Sequence, residues 1–195
     1  AGTINIEGEQ SSGIFAKNTD GKDYTIENTG TINLKGTATP AGTKSAGIYA
    51  EIGASAGKTT VNNKNQITVG QENSVGMYIK NNAAREKGEA INTGTIDLDV
   101  ERTVGIFVNK AIGENRNIIN VKDKSSAGMY GSNDSVITNK NEINVSGLGF
   151  EKSIPIFFKW VVASSFVPTP IDLDKYISSI YFSGAIDLAS NLWKI

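Results

Sequence analysis

Residues 28–34 read NTGTINL, and the chain returns to this line four more times: NKNQITV at 63–69, NTGTIDL at 92–98, NRNIINV at 115–121 and NKNEINV at 139–145. The shared frame is Asn-x-(Gly/Asn)-x-Ile-x-(Leu/Val), and AGTINI at 1–6 is a truncated first copy. The leading Asn residues lie 35, 29, 23 and 24 positions apart. An uneven period with a floor of about 23 residues marks a solenoid, in which each repeat packs on the next.

A second motif alternates with the first. It reads SSGIFA at 11–16, SAGIYA at 45–50, SVGMYI at 74–79, TVGIFV at 103–108 and SAGMYG at 126–131. Both motifs alternate with period 2, are rich in β-branched residues, and show no helical stripe through residue 150. A third short strand fits before each leading Asn: TIEN at 25–28, TVNN at 60–63 and VITN at 136–139. Three short strands per coil predict an all-β fold, a right-handed parallel β-helix of about six rungs. Parallel strands need long crossovers, and the rest of each coil supplies one.

The columns follow from stacking. Ile4, Ile32, Ile67, Ile96, Ile119 and Ile143 should fill the core with Ile6, Leu34, Val69, Leu98, Val121 and Val145. Asn28, Asn63, Asn92, Asn115 and Asn139 should form a structural ladder, amide on amide one rung apart. Position +2 after each reads Gly30, Asn65, Gly94, Asn117 and Asn141, residues that tolerate φ > 0, so a left-handed corner is expected there. Length variation falls at 17–24, 51–59 and 80–89, the expected surface loops.

Composition removes whole classes of chemistry. With no Cys and no His, disulfides, thiolate or imidazole zinc sites, Cys–His nucleophiles and Ser-His-Asp triads are all excluded. A net charge of −1 offers no field for nucleic acid or an anionic membrane. The opening inside a repeat reads as a piece of something longer. No cofactor or metal is expected.

The paired runs NTGTINL and SAGIYA resemble the passenger domains of type V autotransporter adhesins of Gram-negative bacteria. The resemblance covers residues 1–149. It implies export across the outer membrane and display as a stalk at the cell surface, anchored through a region outside these 195 residues. It also implies host-cell protein or glycan as partner, and neighbouring rungs of a longer parent chain.

Three enzymatic or metal readings compete with that one. NTDG at 18–21 resembles one motif of polygalacturonases, β-helical hydrolases that use paired carboxylates, but the partner motifs are missing and the tetrapeptide is a good turn. Residues 16–27 place Asn18, Asp20, Gly21 and Glu27 at calcium-loop offsets, with Ala16 where the first acid belongs. A lyase site would need an acidic calcium cluster and an Arg base; the three Arg residues are Arg85, Arg102 and Arg116, with Asp97 and Asp99 near Arg102 in sequence. Asp97, however, holds the outward position of Asn33 and Asn120, which makes it a ladder member. The expected function is therefore a non-enzymatic stalk or adhesive segment, with no catalytic residue. A β-helical polysaccharide hydrolase or lyase and a pure structural spacer are the alternatives.

The candidate binding face is aromatic. Phe15, Tyr49, Tyr78, Phe107 and Tyr130 recur at one place in five copies. Strict alternation puts them with Gly13, Gly47, Gly76, Gly105 and Gly128 on the solvent side. It puts Ile14, Ile48, Met77, Ile106 and Met129 in the core, with Ser12, Ala46, Val75, Val104 and Ala127. A bend at the Gly column would instead turn the rings inward.

Composition changes near residue 150, giving a repeat array at 1–150 and a non-repetitive segment at 151–195. Of 21 Gly, 20 lie before that point, and both Trp lie after it. The segment reads either as a cap or as foreign to the array. IPIFFKWVVASSFV at 154–167 is apolar but too short to cross a membrane. TPIDLDKYISSIYF at 169–182 carries a helix-start signature, and GAIDL at 184–188 echoes GTIDL at 94–98.

Overall fold

The computed structural model describes residues 2–36 and 45–146 in full and the backbone of 154–159. The rest of the C-terminal segment, with its expected cap, helix and resumed rung, lies outside the described residues.

Strands follow one another around six coils. The first holds β1 (Thr3–Ile6), β2 (Ser12–Asn18) and β3 (Tyr24–Asn28), and the second β4 (Thr31–Leu34), β5 (Ala46–Ile52) and β6 (Thr59–Asn63). The third holds β7 (Gln66–Val69), β8 (Val75–Asn81) and β9 (Gly88–Asn92), and the fourth β10 (Thr95–Leu98), β11 (Val104–Asn109) and β12 (Ile112–Asn115). The fifth holds β13 (Ile118–Val121), β14 (Ala127–Ser132) and β15 (Val136–Asn139), and the sixth begins with β16 (Glu142–Val145) and β17 (Ile154–Lys159).

Each strand pairs in parallel with its counterpart one coil away, which sorts them into sheets of six, six and five strands. The register keeps the columns in line: Ile32 with Ile67, Leu34 with Val69, Asn63 with Asn92. This is the parallel β-helix that the repeats predict. β17 continues the second sheet, with Phe157 at the register position after Tyr130.

The core runs down the axis. Ile32, Ile67, Ile96, Ile119, Leu34, Val69, Leu98 and Val121 are fully buried, as are Ile48, Met77, Ile106 and Met129. Removing each such side chain from water contributes about 1.5–3 kcal/mol before conformational entropy is charged. A single coil has no second layer to pack on, so only the stack closes this core.

The corners differ from expectation. None of Gly30, Asn65, Gly94, Asn117 and Asn141 has a positive φ. Glycine serves proximity instead: a Cβ on Gly94 would collide with the Asn65 carbonyl oxygen, and one on Gly30 with that of Gly2. Among the described non-glycine residues with positive φ, Gln10, Asn73, Arg102 and Ser125, at 51 to 58°, each stand just before the Ser or Thr that opens the second motif, and Lys110, Asn133 and Asp134 stand in the turns after the second-sheet strands.

Corner ladders and the aromatic face

The five ladder Asn residues stand in one column. Asn28 donates through Nδ2 to Asn63 Oδ1, Asn63 to Asn92, Asn92 to Asn115 and Asn115 to Asn139, each at 2.8 Å. Asn63, Asn92 and Asn115 are completely buried. Their second amide hydrogens reach backbone: Asn63 Nδ2 lies 3.0 Å from the Asn65 carbonyl and Asn115 Nδ2 2.8 Å from that of Asn117. These bonds close the corner without a left-handed residue.

A second column, one that sequence reasoning missed, is made of hydroxyls. Ser45, Ser74, Thr103 and Ser126 are buried, and the Thr103 and Ser126 hydroxyls lie 3.0 Å apart. The Ser45 hydroxyl reaches back to the Gly8 carbonyl and the Ser126 hydroxyl to that of Val100. The signal was the Ser or Thr that opens every copy of the second motif.

The aromatic column splits along its length. Neighbouring ring centroids are 5.4, 5.1, 4.8 and 4.7 Å apart from Phe15 through Tyr49, Tyr78 and Phe107 to Tyr130. Phe15 is 57% exposed and Tyr49 half-buried, whereas Tyr78, Phe107 and Tyr130 are only 5% exposed. Tyr78, Phe107 and Tyr130, with Tyr49 against them, pack with Ala46, Val75, Val104 and Ala127 in a cluster separate from the axial core. Burial pushes the Tyr78 hydroxyl above its ordinary pKa and that of Tyr130 up to about 12.

The solvent-side expectation thus holds for Phe15, partly for Tyr49, and fails for the other three. Its flaw is the alternation. The glycines drop out of the ladder: Val75 pairs with Val104 and Met77 with Ile106, with Gly76 and Gly105 passed over. A Cβ on Gly47, Gly76 or Gly105 would meet the Cγ2 of Ile67, Ile96 or Ile119 at 3.0 to 3.1 Å, so these glycines face the axis. The next residue, Ile48, Met77 or Ile106, also faces the axis. Two consecutive inward positions send Ala46 and its counterparts to the ring side rather than into the axial core.

Residues 1–113 match the family described as BigA third pectate lyase-like domain. The chain belongs to that family. BigA is a bacterial surface protein, and the domain type is β-helical. No curated protein and no solved structure matches the chain.

The pectate lyase-like name invites a test of the acids and arginines against a calcium site. Asp97 accepts from Gln66 Nε2 at 2.8 Å and Asn120 Nδ2 at 2.7 Å, and lies 3.4 Å from Lys122 Nζ. Asp99 pairs with Lys122 at 2.9 Å. Arg102 pairs with Glu72 and Glu101, Arg85 with Asp134 and Glu86, and Arg116 with Glu114. Arg116 and Lys140 together hold the Glu114 carboxyl down at about 2. Asp97, Asp99 and Arg102 do not fit a calcium-and-base set, because each is already matched by groups of opposite charge or by amide donors. Among the described residues, no group of three or more acids is placed to hold a metal.

The loop at 18–23 closes on itself. Asp20 accepts from the Lys22 backbone N–H and the Tyr24 hydroxyl, both at 3.0 Å. Asn18 is buried and donates to Thr59 Oγ1 at 2.9 Å. Glu27 turns to Lys64 at 2.6 Å, away from the offset a calcium loop would need.

Proposed function

We propose that this BigA-family chain is a non-enzymatic stalk segment of an exported autotransporter adhesin, held at the cell surface through a region outside these 195 residues. The observation that carries the reading is the unbroken Asn28–Asn139 ladder, four bonds of 2.8 Å through five successive coils. Its polar groups are consumed in joining coil to coil, which is what a rod requires and what an open catalytic cleft does not. Polar side chains on the outer face serve the same end, as Asp97 does between Gln66 and Asn120.

The enzyme alternative is tested directly. The purified chain, with and without added calcium, is incubated with polygalacturonate, pectin and hyaluronan. Reducing ends and unsaturated products are then read. No turnover is expected. Turnover that Asp20→Asn abolishes would replace this reading with the hydrolase.

An adhesive role is favoured at one place by Phe15, the exposed ring with Tyr49 beside it. Replacing Phe15 alone by Ser should leave the melting temperature nearly unchanged, since that ring is exposed. Loss of attachment to host cells or glycans in that variant would make the segment adhesive as well as extending.

A further inference from the structure

The cations of the described coils fall into two groups. Lys58, Lys64, Lys122, Lys124 and Lys140 each have a carboxylate at 2.5 to 3.6 Å, and Arg85, Arg102 and Arg116 are paired as well. Lys80, Lys87 and Lys110 make no ion pair among the described residues. Lys87 is exposed, and Lys80 and Lys110 are half-buried. Lys22 and Lys35 are also unpaired, but each stands singly, in the link at 19–23 and just after β4.

One buried amide brings the other three together, at the corner between the second and third sheets in the middle of the rod. Asn81 ends β8 and is 2% exposed. Its Nδ2 donates to the Lys110 carbonyl at 2.7 Å and to the Ala84 carbonyl at 2.9 Å. Lys80 precedes it in β8, and the Lys87 N–H donates to the same Ala84 carbonyl at 3.0 Å. The acids nearby are already engaged. Glu51, in register with Lys80, stands 3.7 Å from Lys17, and Glu86 and Asp134 pair with Arg85. Asn109, also in register with Lys80, accepts from Asn133 Nδ2 at 3.1 Å and keeps its own amide hydrogens unengaged among the described residues. Lys110 holds φ at 53°, a conformation that Gly or Asn takes at lower cost. A cation thus stands where the backbone favours another residue.

We propose that this corner binds a sulfated polysaccharide, with the ammonium groups of Lys80, Lys87 and Lys110 on its sulfate groups and the Asn109 amide on its hydroxyls. The inference extends the adhesive reading by naming a ligand class, and it places the contact away from Phe15. Three uncompensated point charges around one corner suit a ligand that carries several anionic groups in sequence. A free amide donor between them suits a sugar. An anionic bilayer fits less well, because the links at 82–87 and 110–111 expose no large hydrophobic side chain to enter it. Nucleic acid fits less well for a similar reason, since those links hold no ring on which a base could stack.

Binding of the purified full chain to immobilised heparin at about 50 mM salt tests this, with release by rising salt. The triple variant Lys80→Gln, Lys87→Gln, Lys110→Asn should bind about tenfold more weakly. Its melting by circular dichroism should be unchanged, because Asn keeps the left-handed turn. Lys87→Gln alone, at the exposed position, should lose about twofold. A control triple of the same net charge, Lys22→Gln, Lys35→Gln, Lys64→Gln, should bind as wild type, and so should Phe15→Ser. Dextran sulfate should compete, and hyaluronan, which carries carboxylates alone, should not. The assay reads binding and not turnover, so its failure is separate from failure of the non-enzymatic reading. Four results overturn the proposal: no binding by the wild type, wild-type binding by the first triple variant, an equal loss in the control triple, or tighter binding to phosphatidylserine vesicles than to heparin. A loss in Phe15→Ser overturns it too, by moving the contact to the ring.

Discussion

Asn92 shows what one residue does in this fold. Its Oδ1 takes the Asn63 amide and its Nδ2 serves both Asn115 at 2.8 Å and the Ile118 carbonyl at 3.3 Å, all away from water. Asn92→Ala removes these bonds and strands two buried neighbours. It should cost about 2–4 kcal/mol, read as a fall in the urea midpoint. Asn139→Ala, at an exposed position at the ladder's end, should cost less than about 1 kcal/mol. Asn92→Asp should be the worst of the three, because it buries a carboxylate against the Asn115 carbonyl oxygen. Glu114 gives the pH dependence. Hydrogen bonds from Arg116 and Lys140 hold its folded carboxyl at about 2, below the ordinary 4.5. The folded state therefore binds that proton less readily than the unfolded chain. The resulting stability is present above about pH 4.5 and lost as pH falls toward 2. Glu114→Gln should flatten that acid limb in a series of melts across this range. The ladder Asn residues were legible from spacing alone, because one residue type at one place in each coil has few other uses. The Glu114 pairing was not: Lys140 lies 26 positions away and meets it only through coil stacking.

The strand of the second sheet is the element where sequence reading failed and packing explains why. Strict alternation through the glycine sets the rings and the glycines on one side, and a bend at the glycine is the alternative. The backbone passes over that residue in each pairing, so the parity after it is reversed. The one sign of it in the sequence is the Gly column itself, where a bend is the alternative reading, but side-chain types do not say that the bend moves Ala46 and its counterparts rather than the rings. Its cause is steric, since the Gly76 position has only 2.7 Å to the Gly105 carbonyl oxygen of the next coil. Gly76→Ala should therefore destabilise by roughly 1–3 kcal/mol in denaturant titration. Gly21→Ala, with nothing within 4 Å of the added carbon and no positive φ, should leave the midpoint unchanged.

Across the whole molecule, each coil touches only its neighbours, so stability adds up along the axis. A fully buried central position such as Ile96 should lose about 2–5 kcal/mol on change to Ala, and Ile4, 38% exposed on the first coil, less than about 1 kcal/mol by the same titration. Class, sheet count and the core columns, apart from their end members Ile4 and Val145, which are exposed, were legible because the repeat averages over local ambiguity, five or six copies voting on each position. The sameness that made them legible carries a hazard for the chain itself. Asn answers Asn and Ile answers Ile in every coil, so a strand that skipped one turn and paired with the next but one would find the same chemistry waiting. What marks the correct neighbour is the irregularity. The link between β11 and β12 is only two residues long, and Asp97 alone in its column is a carboxylate, met by Gln66 on one side and Asn120 on the other. Such departures from the repeat serve as addresses during folding, and levelling them to the consensus would exchange a single native alignment for several shifted ones of similar energy.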